Sequence, residues 1–163
     1  MISRKNILLR IYWKMQRLPL AWFIVVELIA MYLGSELLFC VGIAGEDAEL
    51  ESNLITTSLL AILFAPLIET FVFQMLPIEL SQFLFRNKFK KRLYLLSIFI
   101  SALFFSLIHC YNWQYMVVTF WPGIVFAFGY ITQMHKGYWR SFLSIFLIHT
   151  IWNVLATISS IIQ

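Results

Sequence analysis

The sequence predicts an all-α, polytopic membrane protein with about five transmembrane helices and an N-terminal interfacial helix. Of its 163 residues, 61% are hydrophobic and only 12% are charged, whereas soluble domains are about 45–50% apolar and about 25% charged. The charged residues are also clustered, so that they separate long apolar stretches from one another. One water-soluble core could not bury this much apolar surface.

Each apolar stretch is long enough to cross a bilayer, which takes about 20 residues. The predicted transmembrane segments are 18–43, 53–85, 92–111, 114–135 and 138–161. All 12 cations lie in three clusters, at residues 4–17, 86–92 and 136–140. Because Lys and Arg accumulate in cytoplasmic loops, we expect the N-terminus in the cytoplasm and the C-terminus on the far side.

Residues 2–17 are predicted to form an amphipathic segment that lies on the membrane surface. Arg10, Lys14 and Arg17 recur at helical spacing beside apolar residues, which suits an anionic inner leaflet. The alternative is a flank without a stable helix that only sets the orientation. No repeat or linker divides the chain, so residues 1–163 are predicted to form a single integral-membrane domain.

Two prolines, Pro66 and Pro77, interrupt the second transmembrane stretch. Proline removes a helix donor and kinks the chain, and irregular backbone is tolerated at membrane depth where it lines a cavity or packs against protein. Glu69 follows Pro66 by three residues, so a kink would open room beside its carboxylate. An ordinary proline kink without function is the alternative.

Three of the ionisable residues inside the spans are the candidate functional residues: Glu69, His109 and His149. Such groups are costly in hydrocarbon and mark functional sites. Asn153 follows His149 by one helical turn. Counting about 1.5 Å per helical residue from the cationic ends puts Glu69, His109 and Asn153 at similar depth, with His149 one or two turns lower. The spacing permits convergence on one site.

A carboxylate and an imidazole together can hold a water molecule and take its proton. A histidine and an amide at positions i and i+4, such as His149 and Asn153, lie on one helix face and can donate hydrogen bonds to an oxyanion. This set could hydrolyse a peptide bond without a covalent intermediate. Glu69, His109 and His149 could instead bind zinc and leave one position for water. The sequence leaves both mechanisms open.

Four short motifs follow one another along the last four predicted helices. They are residues 69–74 (ETFVFQ), 105–109 (FSLIH), 120–129 (FWPGIVFAFG) and 149–153 (HTIWN). Together they resemble the CPBP family, which comprises the CAAX-prenyl-protease and bacteriocin-processing intramembrane proteases, also called Abi proteins. That family carries E-E-x-x-x-R, F-x-x-x-H, F-x-x-G and H-x-x-x-N in this order. The resemblance covers residues 64–154.

The resemblance implies that Glu69 and His109 activate the attacking water. It also implies that His149 and Asn153 stabilise the oxyanion or complete a metal site. The pocket would be shaped by other motif residues, namely Phe105, Gln74, Phe126 and Gly129. The chain departs from the family pattern at Thr70, where the second glutamate is expected, and at Gln74, where the arginine is expected.

These observations predict an intramembrane endopeptidase of a bacterial cytoplasmic (inner) membrane. We expect its partners to be the lipid bilayer and a membrane-associated or leader-carrying peptide or protein, and we expect no nucleic acid. One alternative is a non-catalytic CPBP-like protein that acts in bacteriocin immunity or regulation, which Thr70 and Gln74 favour. Another is a small proton-coupled transporter subunit, in which Glu69 and His149 relay protons without any need for His109 nearby.

Overall fold

The computed structural model describes residues 7–43, 60–85 and 93–162, and these ranges contain helices and no strand. The all-α prediction is therefore confirmed. The helices are α1 (Ile7–Arg17), α2 (Leu20–Cys40), α3 (Ile62–Phe85), α4 (Leu93–Ile108), α5 (Trp113–Gln133) and α6 (Tyr138–Ile162). The predicted acidic loop at 44–52, the basic loop at 86–92 and residues 2–6 lie outside the described residues.

Four of the described helices are long and apolar enough to cross a membrane: α2, α3, α5 and α6. Helix α4 is apolar but has only 16 residues, so it is shorter than the predicted span of 92–111. It ends at Ile108 because the backbone then turns, with the amide of His109 donating to the carbonyl of Ser106 over 3.0 Å. The chain is an integral membrane protein.

The amphipathic segment does contain a helix, α1. Met15 points into the protein core, whereas Arg10, Lys14 and Arg17 are exposed. The apolar side chains of Ile7, Leu9, Ile11 and Trp13 are exposed as well, as expected for a helix that meets both lipid and headgroups.

Local sequence explains where α5 and α6 begin. The side chain of Asn112 accepts a hydrogen bond from the amide of Tyr115 at 2.7 Å, which caps the first turn of α5. Between α5 and α6, Gly137 adopts a φ of 104°, a backbone conformation that favours glycine. This tight connection makes α5 and α6 antiparallel neighbours.

Helix α5 is the centre of the bundle and packs against α2, α4 and α6. Gly123 lies against α4, where an added Cβ would come within 3.0 Å of the Cα of Ala102. Trp121 lies over Gly34 of α2, and its indole nitrogen donates to the carbonyl of Ala30 at 3.0 Å. Small residues thus let α5 approach both neighbours closely, as is common between membrane helices.

The ionisable side chain of Glu27 on α2 is buried in the bundle, with 2% of its surface exposed. Its carboxyl group lies against Gly129 of α5, where a Cβ would be 3.3 Å from both Cδ and Oε1. Within the described residues Oε1 has no hydrogen-bond partner. A buried polar atom without a partner costs stability, so Glu27 should weaken the fold.

Replacing Glu27 with methionine, which has a similar shape, should therefore stabilise the protein by about 1–3 kcal/mol. The thermal unfolding midpoint of the detergent-solubilised protein would rise. Glu36→Met is the matched control, because Glu36 is exposed on the same helix. A lower midpoint for Glu27→Met than for the wild type would show that the carboxyl group makes a stabilising interaction instead.

Candidate active site

Glu69 lies in the irregular part of α3. An α-helical turn, Ala65–Glu69, is flanked by two π-helical stretches, Leu60–Phe64 and Thr70–Met75. Such wide turns are rare and occur frequently at functional sites. Pro66 stands near the start of the α-helical turn. The predicted irregularity around Glu69 is therefore present, in the form of π-helical turns on both sides.

The structure brings Glu69, His109 and His149 together from α3, the turn that follows α4, and α6. Oε2 of Glu69 lies 4.0 Å from Nε2 of His109 and 3.5 Å from Nε2 of His149. The side chains of Glu69 and His109 are 20% and 17% exposed, whereas that of His149 is 4% exposed. The Glu69–His109 side of the cluster is therefore partly exposed, whereas His149 is almost completely buried.

The depth count from sequence placed His149 one or two turns below Glu69, whereas the two side chains are in contact range. The count assumed a uniform α-helix with a rise of about 1.5 Å per residue. A π-helical turn contains more residues than an α-helical one, and one lies between Glu69 and the cationic end of α3. The count therefore overestimated the distance of Glu69 from that end, and the π-helical stretch accounts for part of the difference.

The imidazole of His109 is held by the last turn of α4, which His109 directly follows. Its Nδ1 lies 2.7 Å from the carbonyl oxygen of Phe105, one turn earlier. Since a carbonyl oxygen can only accept, Nδ1 carries a proton and donates it in this hydrogen bond. In the neutral ring, Nε2 then presents a lone pair towards Glu69.

Aromatic rings form the wall around the two imidazoles. The ring of Phe105 lies 4.7 Å from that of His109 and 5.7 Å from that of His149, measured between centroids. The ring of Phe126 lies 4.6 Å from His149 and 5.8 Å from Phe105. Both phenylalanines were predicted from the motifs as pocket residues, and they lie at the cluster.

Asn153 lies on α6 one turn after His149 and is half-buried. Its backbone carbonyl accepts a hydrogen bond from the side-chain hydroxyl of Thr157, one turn later, at 2.8 Å, and the helix continues to Ile162. The i, i+4 spacing predicted from sequence is therefore realised on a regular helix. The role of its amide in oxyanion binding stays a prediction.

Gln74 and Gly129 make contacts other than those expected of a pocket lining. Gln74 is completely buried, and its Oε1 lies 2.5 Å from the hydroxyl of Ser101 on α4. Its Nε2 has no hydrogen-bond partner among the described residues. Gly129 makes room for Glu27 and Ile145. Both residues therefore take part in packing between helices.

Sequence reasoning missed two contacts that residues of α3 make with other helices, and one of them is with the cluster. Thr70 is buried, and its hydroxyl oxygen lies 3.5 Å from Nδ1 of His149. The hydroxyl oxygen of Ser101 lies 2.8 Å from the carbonyl oxygen of Phe73 and 2.5 Å from Oε1 of Gln74. The sequence does mark Thr70 as the residue after Glu69, but its contact with a residue 79 positions away depends on packing.

The predicted metal site was tested against this geometry. One carboxylate and two imidazoles are ligands that zinc accepts. Two ligands of one tetrahedral zinc lie about 3.3 Å apart, because each bond is about 2.0–2.1 Å long; Glu69 and His109 are separated by 4.0 Å. Within residues 7–43, 60–85 and 93–162, no three His, Cys, Asp or Glu side chains are arranged to hold a metal ion. A zinc ion bound by all three side chains would require Glu69 and His109 to move closer together, and metal dependence stays a prediction.

A family model described as Rce1-like, type II CAAX prenyl endopeptidase, matches residues 51–155. This range includes Glu69, His109, His149 and Asn153. No curated protein and no solved structure gives a significant match to the chain. The family is one of intramembrane endopeptidases and coincides with the CPBP resemblance of the four motifs. Because the match covers more than half of the 163 residues, the chain belongs to the Rce1-like type II CAAX prenyl endopeptidase family.

Proposed function

We propose that this protein hydrolyses a peptide bond inside the membrane with a water molecule that Glu69 and His109 activate. One observation carries the proposal: a single carboxylate oxygen of Glu69 faces Nε2 of both histidines, at 4.0 and 3.5 Å. A proton-relay site would need no such contact with His109. Family membership supports the same reaction class.

The donor and acceptor pattern explains how water would be held. His109 uses its Nδ1 proton on the carbonyl of Phe105, so its Nε2 is an acceptor, and an ionised Glu69 is an acceptor as well. A water molecule between them could donate one hydrogen bond to each. The 4.0 Å separation is too long for a direct hydrogen bond, which suits two acceptors that share one water.

The reaction then follows from these positions. As the water oxygen forms a bond to the substrate carbonyl carbon, Glu69 takes up one of its protons, while the other stays hydrogen-bonded to Nε2 of His109. The carbonyl oxygen becomes an oxyanion, which His149 and Asn153 stabilise by donating hydrogen bonds. When the oxyanion collapses, the carbon–nitrogen bond breaks and the stored proton passes to the leaving amine. No covalent enzyme intermediate is formed.

Burial indicates what kind of substrate reaches the site. The cluster lies among membrane-spanning helices and remains partly accessible only at Glu69 and His109. A membrane-associated or leader-carrying peptide or protein that enters between helices fits this position. We place the protein in a bacterial cytoplasmic membrane with the N-terminus inside, because the described cations of α1 and of the α5–α6 connection follow the positive-inside pattern.

The proposal is tested by comparing the N-termini of membrane proteins and peptides in cells that make the wild type with those in cells that make Glu69→Ala, at matched membrane levels. New N-termini found only with the wild type would identify both the activity and its substrate. Identical profiles, together with a host phenotype that persists in Glu69→Ala, would overturn the protease proposal and support an immunity or regulatory protein.

We also propose that the water is activated without a metal, since Glu69 and His109 already supply a base. Cleavage by the purified protein is then expected to be unchanged by 1,10-phenanthroline. The isomer 1,7-phenanthroline, which does not chelate, serves as the control. Loss of cleavage with the chelator alone, restored by added zinc, would contradict this prediction and support Glu69, His109 and His149 as zinc ligands.

A further inference from the structure

We propose that Thr70 is a positioning residue that donates a hydrogen bond to Nδ1 of His149 and thereby leaves the ring proton on Nε2, facing Glu69. This inference rests on the proposed function for its premise that Glu69 is ionised when the site is ready to react. The inference assigns a role to Thr70, which is one of the two positions at which the chain departs from the E-E-x-x-x-R motif.

The geometry places Thr70 behind His149. Thr70 is the first residue of the π-helical stretch that follows Glu69, and it is completely buried. Its hydroxyl oxygen lies 3.5 Å from Nδ1 of His149, while Nε2 of the same ring lies 3.5 Å from Oε2 of Glu69. Both ring nitrogens therefore face a side chain of α3, and consecutive residues of α3 provide the two contacts.

The chemistry of the two partners decides which nitrogen carries the proton. An ionised carboxylate can only accept hydrogen bonds, so Nε2 must donate towards Glu69. In the neutral ring Nδ1 is then an acceptor, and it needs a donor because the ring is buried and an unsatisfied acceptor is costly. A hydroxyl group can donate, whereas a glutamate carboxylate at position 70 could not. Threonine therefore suits this tautomer.

His149 and His109 would then have complementary tautomers around one carboxylate. The carbonyl of Phe105 fixes the proton of His109 on Nδ1, so its Nε2 accepts and can receive a proton from water. The hydroxyl of Thr70 leaves the proton of His149 on Nε2, which donates to Glu69 before the reaction. Once Glu69 has taken up a proton from water, this N–H can donate to the oxyanion instead. The carbonyl of Phe105 thus makes His109 the imidazole that accepts a proton, and the hydroxyl of Thr70 makes His149 the imidazole that donates one.

Nitrogen NMR tests this inference without any substrate. The chain contains only 3 histidines, so protein labelled with ¹⁵N-histidine in detergent micelles gives few ring signals, which His109→Gln and His135→Gln assign. The wild type should show a protonated Nε2 and an unprotonated Nδ1 at His149. In Thr70→Val the Nδ1 signal should move to higher chemical shift, because an accepted hydrogen bond is lost, and Thr70→Ser should restore it.

Two NMR results would overturn the inference: a proton on Nδ1 of His149 in the wild type, or an Nδ1 signal that Thr70→Val leaves in place. If valine prevents folding, Thr70→Ala serves the same comparison. These results do not depend on proteolysis, so they separate a failure of the Thr70 assignment from a failure of the proposed function.

Once a substrate is known, kinetics provide a second readout. Thr70→Val should lower kcat by about 10–100-fold, as loss of a hydrogen-bond partner that orients an active-site histidine commonly does. The KM should remain nearly unchanged. Thr70→Ser should recover most of the rate. A loss of kcat that serine does not recover would indicate that the shape of Thr70, and not its hydroxyl group, matters.

Discussion

Replacing Glu69 with glutamine should lower kcat for peptide-bond hydrolysis by about 10²–10⁴-fold, the usual contribution of a general base. Glutamine has nearly the same shape but cannot take a proton from water. The variant should still reach the membrane and should have a thermal unfolding midpoint close to that of the wild type, because Glu69 is partly exposed and is not a core residue. The measurement is single-turnover cleavage of a substrate identified from new N-termini.

Glu79→Gln is the matched control for Glu69→Gln. Glu79 lies on the same helix, and its Oε1 accepts a hydrogen bond from the hydroxyl of Tyr130 at 3.0 Å, which an amide oxygen can also accept. This variant should keep the wild-type kcat. Equal rates for the wild type and Glu69→Gln would remove Glu69 from the chemistry, even if proteolysis itself were established.

The second large effect is expected at Gly123, where α5 passes closest to α4. A Cβ at this position would lie 3.0, 3.2 and 3.3 Å from Cα, the carbonyl oxygen and Cβ of Ala102. Two of these atoms belong to the backbone, so rotating a side chain cannot relieve the contact. Valine should destabilise the protein by about 1–3 kcal/mol, as overpacking commonly does. This corresponds to an unfolding midpoint lower by about 2–10 °C.

Gly123→Val should also impair catalysis. Ala102 precedes Phe105 by one turn on α4, and Phe105 in turn holds His109 through its carbonyl. Moving α4 relative to α5 would therefore displace His109 from its position beside Glu69. We expect a lower kcat even at temperatures where the variant remains folded, because a small displacement of reacting groups is costly to catalysis.

A graded series of variants makes the test at Gly123 specific. Gly123→Ala should have a smaller effect than valine, because it needs a shift of only a few tenths of an ångström. Ala21→Val, an enlargement of an exposed residue on α2, should leave the unfolding midpoint nearly unchanged. Equal unfolding midpoints for Gly123→Val and Ala21→Val would contradict this prediction, because they would show that close packing between α4 and α5 does not require glycine at position 123.

Much of the architecture follows from composition and charge, which are local properties of the sequence. Apolar stretches separated by cationic clusters predicted membrane helices, and α2, α3, α5 and α6 are long enough to span. The end of α4 was less predictable. An apolar count does not reveal that the backbone turns after Ile108, since this depends on the hydrogen bonds around His109 and on the cap at Asn112.

For the candidate site too, the sequence predicted the residues but not their contacts. Order and spacing of motif residues were enough to select Glu69, His109, His149 and Asn153 and to predict the family that the comparison confirmed. They could not predict that Gly129 would accommodate Glu27, or that Gln74 would pair with Ser101. Those contacts join residues of different helices, and their partners are set by how the helices rotate and approach.

The sequence by itself determined which residues of this protein can carry charge or protons within the membrane, because an ionisable group in an apolar stretch is visible without a structure. Only the tertiary structure decided that one oxygen of Glu69 faces two imidazoles and that Thr70 and the Phe105 carbonyl lie behind them. The physical reason is that spacing along a helix fixes the face of a residue, whereas π-helical turns and close helix packing fix its depth and its partners.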